Sequence, residues 1–139
     1  MQYRKARLDE VQEVAQVCAD AFEDYPYLSM IASNLKNPEQ YDEFVLALQK
    51  ILIRFAIKMD SCLVAEEDGH IVAAAILQHQ TVSMLDNLQN GAIKLFRFIS
   101  IIRLFKYFNF VEESERNLED SAEYDWYLMM LSVTPDYQR

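Results

Sequence analysis

The sequence predicts an α/β domain, a mixed and mostly antiparallel sheet flanked by helices, in the order strand, helix, helix, hairpin, helix, strand. Three observations carry that expectation. Apolar residues recur at three-and-four spacing over long stretches, the mark of helices with one face in a core. Two apolar runs flank Glu67-Asp68-Gly69-His70, and an Asp-Gly pair tolerates the positive φ angles of a tight hairpin. A last apolar run of strand length, Trp126 to Val133, closes on Thr134-Pro135-Asp136-Tyr137, a turn signal. With 139 residues the chain is long enough for one core and too short for two, so residues 1–139 read as a single domain.

Tyr3 to Leu8 reads as a short first strand. Asp9, with Gln12 three residues on, has the form of a capping box, and the helix that follows puts Val11, Val14, Ala15, Val17, Cys18, Ala21 and Phe22 on one face. Tyr25-Pro26-Tyr27 ends it, because proline disfavours helical geometry in the residue before it. A short helical piece runs on to Leu35. Asn37 as N-cap, Pro38 at the first helical position and Gln40 at the third open the most strongly marked helix, whose apolar stripe runs from Tyr41 to Met59. The hairpin strands, Cys62 to Glu66 and Ile71 to Leu77, come next. The second is apolar at successive positions, as expected of a central strand with both faces covered. Ser83 to Phe110 is helical in character, with a break at Asn90-Gly91. Glu112 to Glu123 reads as a solvated acidic loop, and Trp126 to Val133 as a buried strand.

A net charge of −9 repels phosphate backbones, so no nucleic-acid partner is expected. The basic start, Met1 to Arg7, has no apolar run behind it and is not a secretory signal, which points to the cytoplasm. Lys94, Arg97, Arg103 and Lys106 would project at about 0°, 300°, 180° and 120° around one helix. Charges so scattered fit neither a membrane-surface helix nor a spanning one, and no membrane partner is expected. Cys18 and Cys62 have no metal-type spacing and read as buried thiols, so no metal is expected.

The ending carries the chemistry. Trp126-Tyr127-Leu128, then Leu131-Ser132-Val133, then Val133-Thr134-Pro135-Asp136-Tyr137-Gln138-Arg139 resemble the fourth strand and following turn of the GNAT superfamily of acetyltransferases. In that family a Val-x-Pro-x-Tyr-like turn leads through Gln or Arg into a glycine-containing loop. The hairpin, with Val64-Ala65-Glu66 before its turn and a small-residue strand after it, is similar to the family's second and third strands. The resemblance implies a GNAT-like fold and an N-terminal portion of such an enzyme, with the family's glycines and the second half of the fold beyond Arg139. Residues 1–139 by themselves are then expected to have little activity.

What the resemblance implies about function is an acetyl-CoA-dependent N-acetyltransferase, acting on a small-molecule or peptide amine. Gln138 and Arg139 would open the loop that holds the cofactor's pyrophosphate on backbone amides. Leu131, Ser132 and Val133 would offer main-chain groups to the pantetheine arm and set an amide N–H near the thioester carbonyl, where a donor stabilises developing negative charge. No catalytic side chain is assigned. Asp125 stands where a similar subgroup frequently has His, and reads as a solvated loop end. His70 reads as an exposed turn residue. His79 follows the central strand and could face the acceptor. The alternative is a non-catalytic interaction or regulatory module that binds a partner, or a second copy in a homodimer, through Ile93 to Phe110. A weaker third reading is a peripheral membrane contact through Phe96, Phe98, Phe105 and Phe108.

Overall fold

A computed structural model describes residues 1–79, 82–121 and 125–138 of the chain. Its strands are β1 (Gln2–Lys5), β2 (Cys62–Glu67), β3 (His70–Gln78) and β4 (Tyr127–Val133); its helices are α1 (Val11–Ala21), α2 (Pro26–Ala32), α3 (Tyr41–Lys58), α4 (Met84–Gln89) and α5 (Ile101–Ser121). The α/β class expected from the sequence holds. The sheet has the order β1-β2-β3-β4, and each pairing is antiparallel, so no parallel pair is found among the described residues. Three helices, rather than two, separate β1 from β2, and two rather than one separate β3 from β4.

Local chemistry explains most of the boundaries. Asn37 accepts the Glu39 amide through its side chain and Pro38 fills the first position of a 3-10 turn, Pro38–Gln40, that feeds α3. Tyr25 holds the N-cap position of α2 in extended geometry, with Pro26 inside the first turn. Asp68 and Gly69 take φ angles of 52° and 80° in the hairpin turn, as an Asp-Gly pair should. The start of α1 differs from expectation. A 3-10 turn at Leu8–Glu10 comes first, because Glu10, not Asp9, turns its carboxylate back onto the Arg7 amide at 2.8 Å. The first strand accordingly ends at Lys5.

Two sequence readings are corrected. The acidic stretch after Phe110 is not a loop: α5 continues through Ser121. Glu112 pairs with Arg116 at 2.5 Å one turn on, and Phe108 is buried on the same helix, so charge pairing and one apolar face extend it. Glu123 lies outside the described residues. The strand β4 exists, but it lies at the edge of the described sheet and only Ser132 of its residues is buried, the rest being exposed or half-buried.

Helices α1 and α3 pack on one face of the sheet. Val14, Ala15, Cys18, Ile53 and Ala56 meet Cys62, Val64, Ala74 and Ile76 in a core closed to solvent. A second core joins α2, α3 and α5 through Leu28, Ile31, Phe44, Leu104 and Phe108, with Leu95 and Ile99 between them. The other sheet face carries Tyr3, Leu63 and Leu131 at 78%, 40% and 61% exposure. On that face Ala73 and Ala75 of β3 are half-buried, so the central strand is covered fully on one side only.

Arg4 ties the first strand to the rest. Its guanidinium grips Glu10 with two bonds, at 2.6 and 2.9 Å, and Glu66 of β2 at 2.5 and 3.0 Å. The Arg4 bond holds the Glu10 carboxyl below its ordinary value, against the opposing effect of burial and with help from the Arg7 amide. A carboxylate whose pKa is depressed by folding stabilises the fold above its unfolded value and loses that contribution as pH falls. Glu10→Gln is expected to cost about 2 kcal/mol near neutral pH, measured by urea unfolding. The loss should shrink on acidification below the ordinary glutamate value of 4.5; an equal loss at pH 3 and pH 7 would count against the ion pair.

The break at Asn90-Gly91 is also built from contacts. Asn90 is buried, its carbonyl accepts from Arg54 and its side chain from Lys58 at 2.9 Å. Gly91 sits at φ 108°, and an added Cβ would lie 3.2 Å from Arg54 Nη1. Gly91→Ala should therefore destabilise the fold by about 1–2 kcal/mol through the left-handed backbone alone, visible as a lowered thermal midpoint.

Candidate functional site

The open side of β4 is where the sequence-predicted residues come together. In an antiparallel ladder successive residues turn their main-chain groups alternately toward and away from the partner strand. The Thr134 amide bonds to the Val72 carbonyl at 2.9 Å, so Thr134 and Ser132 face β3. The N–H and C=O of Leu131 and Val133 therefore point away from β3, to an edge with which no described strand pairs. The Gln138 side-chain amide confirms the direction by donating to the Val133 carbonyl at 2.6 Å. Ser132 is turned the other way: its hydroxyl is fully buried beside Cys18, and its main-chain groups serve the β3 pairing. Arg139 lies outside the described residues.

The strand is bulged as well. Ile76 pairs with Met130 while Leu77 pairs with Leu128, which leaves Met129 as the extra residue and bends β4 at its middle. Beyond Val133 the chain turns through the 3-10 segment Pro135–Tyr137. The nearby Glu67 carboxylate, at the end of β2, raises the Tyr137 phenol's pKa.

Beside the bulge opens a cavity of about 490 Å³, walled by Phe22 and Tyr25 between α1 and α2 and by residues of α2, α3, α4, α5 and β4, and floored in part by Met129 and Met130. Its lining is mainly aromatic and aliphatic. Gln49 of α3 contributes an amide that is 5% exposed and whose Oε1 is buried without a hydrogen-bond partner. Glu115 of α5 accepts from Gln78 Nε2 at 3.0 Å and from the Val82 amide at 3.2 Å, and is the one charged side chain among the described residues on the lining.

No sequence motif marks this cavity. Gln49 falls on the buried face of α3 between Val45 and Ile53, and a polar residue at a core position of an apolar stripe was the available signal. Glu115 lies in the acidic stretch whose composition suggests a loop and which the structure makes helical. His79 does not reach this cavity's lining; it stacks on Trp126 with ring centroids 4.7 Å apart. His70 is exposed at the start of β3, and Asp125 is exposed before β4. Among the described residues no group of His, Cys, Asp and Glu side chains is arranged to hold a metal. No described helix is long and apolar enough to cross a membrane. Lys94 and Arg97 lie in a 3-10 segment, Ala92–Arg97, and Arg103 and Lys106 in α5, so the four do not belong to one continuous helix. Phe98 and Phe108 are core residues rather than surface ones.

No protein-family model matches the chain, and a search of curated proteins finds no significant match.

Neither cysteine is set up as a nucleophile. Both are buried and free, and burial pushes the Cys18 thiol up to about 11 and the Cys62 thiol up to about 12. The reactive species is the thiolate, so the native protein should resist iodoacetamide at pH 8 and take up two labels in denaturant. Fast labelling of either residue in the folded protein, read by mass spectrometry, would contradict this placement.

Proposed function

We propose that this protein is an acetyl-CoA-dependent N-acetyltransferase that passes the acetyl group directly from the thioester to an amine. One observation carries the reading: the strand that resembles the family's cofactor strand is a free edge, with the main-chain groups of Leu131 and Val133 directed outward. An extended amide-bearing arm such as pantetheine binds by adding itself to such an edge. The bulge at Met129 and the turn ending in Gln138 agree with it.

The residues fit the cofactor in that respect, and acetyl-CoA when bound would supply the activated acetyl thioester. Leu131 and Val133 would hold the arm along β4 and offer an N–H to the thioester carbonyl oxygen, where a fixed donor favours attack by an amine. Gln138 would have to release the Val133 carbonyl it now covers. The amine would arrive from the side of the cavity, since Tyr127, Met129 and Met130 of the same strand line it.

A second reading, a non-catalytic interaction module, is favoured by Ile93, Ile101 and Ile102, which are 64%, 52% and 70% exposed. Amide chemical-shift mapping separates the two. Titration with acetyl-CoA should shift Leu131 and Val133 first, and Leu131→Pro should abolish the response while leaving the sheet intact, because the lost N–H faces away from β3 and an edge strand tolerates proline there. Shifts elsewhere with none on β4, or an unchanged response in Leu131→Pro, would defeat the acetyltransferase reading. A concentration-dependent dimer with no response to acetyl-CoA would support the second.

A further inference from the structure

The surface built by the 3-10 segment Ala92–Arg97 and the first turns of α5 takes no part in the β4 edge or the cavity beside it. Its apolar members are contiguous. Ile93 and Phe96 stand three residues apart in the 3-10 segment and so share a face. The Phe96 and Phe105 ring centroids are 6.5 Å apart. Ile101 and Ile102 precede Phe105 on α5 by four and three residues, the spacing of side-chain neighbours on a helix. Ile93, Ile101 and Ile102 are each more than half exposed, and none of them lines the cavity.

A basic rim surrounds this patch. Lys36 Nζ donates to the Phe96 carbonyl at 2.8 Å, and Arg103 donates to the Asn34 carbonyl at 3.3 Å. Lys94, Arg97 and Lys106 are exposed on the same two segments. Residues 31–38 and 92–111, which build this surface, contain no aspartate or glutamate, in a chain with 22 acidic residues against 13 basic. Glu43 of α3 touches the rim and is paired there with Arg97. The first turn of α5 holds no acid, so the positive end of its dipole acts with the same sign. Exposed charges more than about 8–10 Å away are largely screened at physiological salt, so a surface resting on the patch meets mainly the patch's own charge.

The structure also revises the expectation of no membrane contact, which placed these charges around one helix. The chain turns at Phe98 to Ser100 between the 3-10 segment and α5, so angles about a single axis do not describe the surface. Protruding aliphatic side chains ringed by lysine and arginine suit a bilayer interface, and a fluid bilayer accepts them without a matching shape. We propose that this patch docks the protein on an anionic lipid surface. Ile93, Ile101 and Ile102 enter the headgroup boundary, and Lys36, Lys94, Arg103 and Lys106 face the headgroups. The surface is separate from the Leu131 and Val133 edge, and the proposal does not depend on the acetyltransferase reading.

The test is co-sedimentation of the full chain with vesicles of phosphatidylcholine alone and of phosphatidylcholine mixed with phosphatidylserine. Binding is expected to the mixed vesicles only, falling about tenfold when salt is raised from about 0.1 M to about 0.5 M. Ile101→Ser combined with Ile102→Ser, both exposed and outside the two cores, should leave the thermal midpoint unchanged and weaken binding about tenfold. Lys94→Glu combined with Lys106→Glu should abolish binding. Neither lysine is in an ion pair among the described residues, so this variant covers the case in which the isoleucine changes disturb α5. No sedimentation with the mixed vesicles, equal sedimentation with both kinds, or wild-type affinity in either double variant would overturn the proposal. A concentration-dependent dimer that the isoleucine changes abolish, with no vesicle binding, would overturn it too and give the patch to a second copy.

Discussion

The dry seam between helices α1 and α3 and one face of the sheet is the constraint on which the rest depends. Cys18, Ile53, Cys62, Ala74, Ile76 and Ser132 meet there with 2% exposure or less. Side chains alternate across a strand, and a one-residue slip would send the whole set to the wrong face. Burying Ser132 against the helices therefore sends Leu131 and Val133 to the opposite face. The ladder to β3 uses the Ser132 and Thr134 main-chain groups, and so the Leu131 and Val133 groups are left on the free edge. The properties of β4 that matter for function follow from its packing.

The same seam explains why the cavity forms where it does. Antiparallel pairing holds β3 and β4 together on both sides of Met129, and the bulge at that residue bends β4 from its regular course. Helix α5 returns over this end of the sheet and contributes Phe108 to the second core. Glu115 fastens the connection after β3 by accepting from Gln78 and Val82. Two cores, one under the sheet and one under α5, meet along α3, and Gln49 occupies the junction. Its Oε1 is one of the buried polar atoms left without a partner among the described residues.

Charge is also used locally. Arg4 spends two carboxylates holding β1 to β2 and to the start of α1, and Arg97 pairs with Glu43 of α3. At the cavity a single carboxylate sets the sign of what can be buried. Pairing of this kind is worth little on the surface and more where, as at Glu10, the carboxylate is buried.

Much of the fold was legible in the amino-acid order. The Asn37-Pro38 start of α3, the break at Asn90-Gly91, the Asp68-Gly69 hairpin and the central place of β3 all rest on local backbone preferences and on periodic burial, which act within a few residues and leave a pattern in sequence. The length of α5, the start of α1 at Val11 and the edge position of β4 were not legible, because each depends on a partner distant in sequence or on which neighbour a strand lacks. Leu131 and Val133 could be singled out by resemblance, but their outward main-chain groups follow only from the pairing of β4 with β3. Gln49 makes the division plain. Its place on a buried helical face is a matter of spacing, whereas the empty volume beside its amide exists only once α3, α5 and β4 have packed around it.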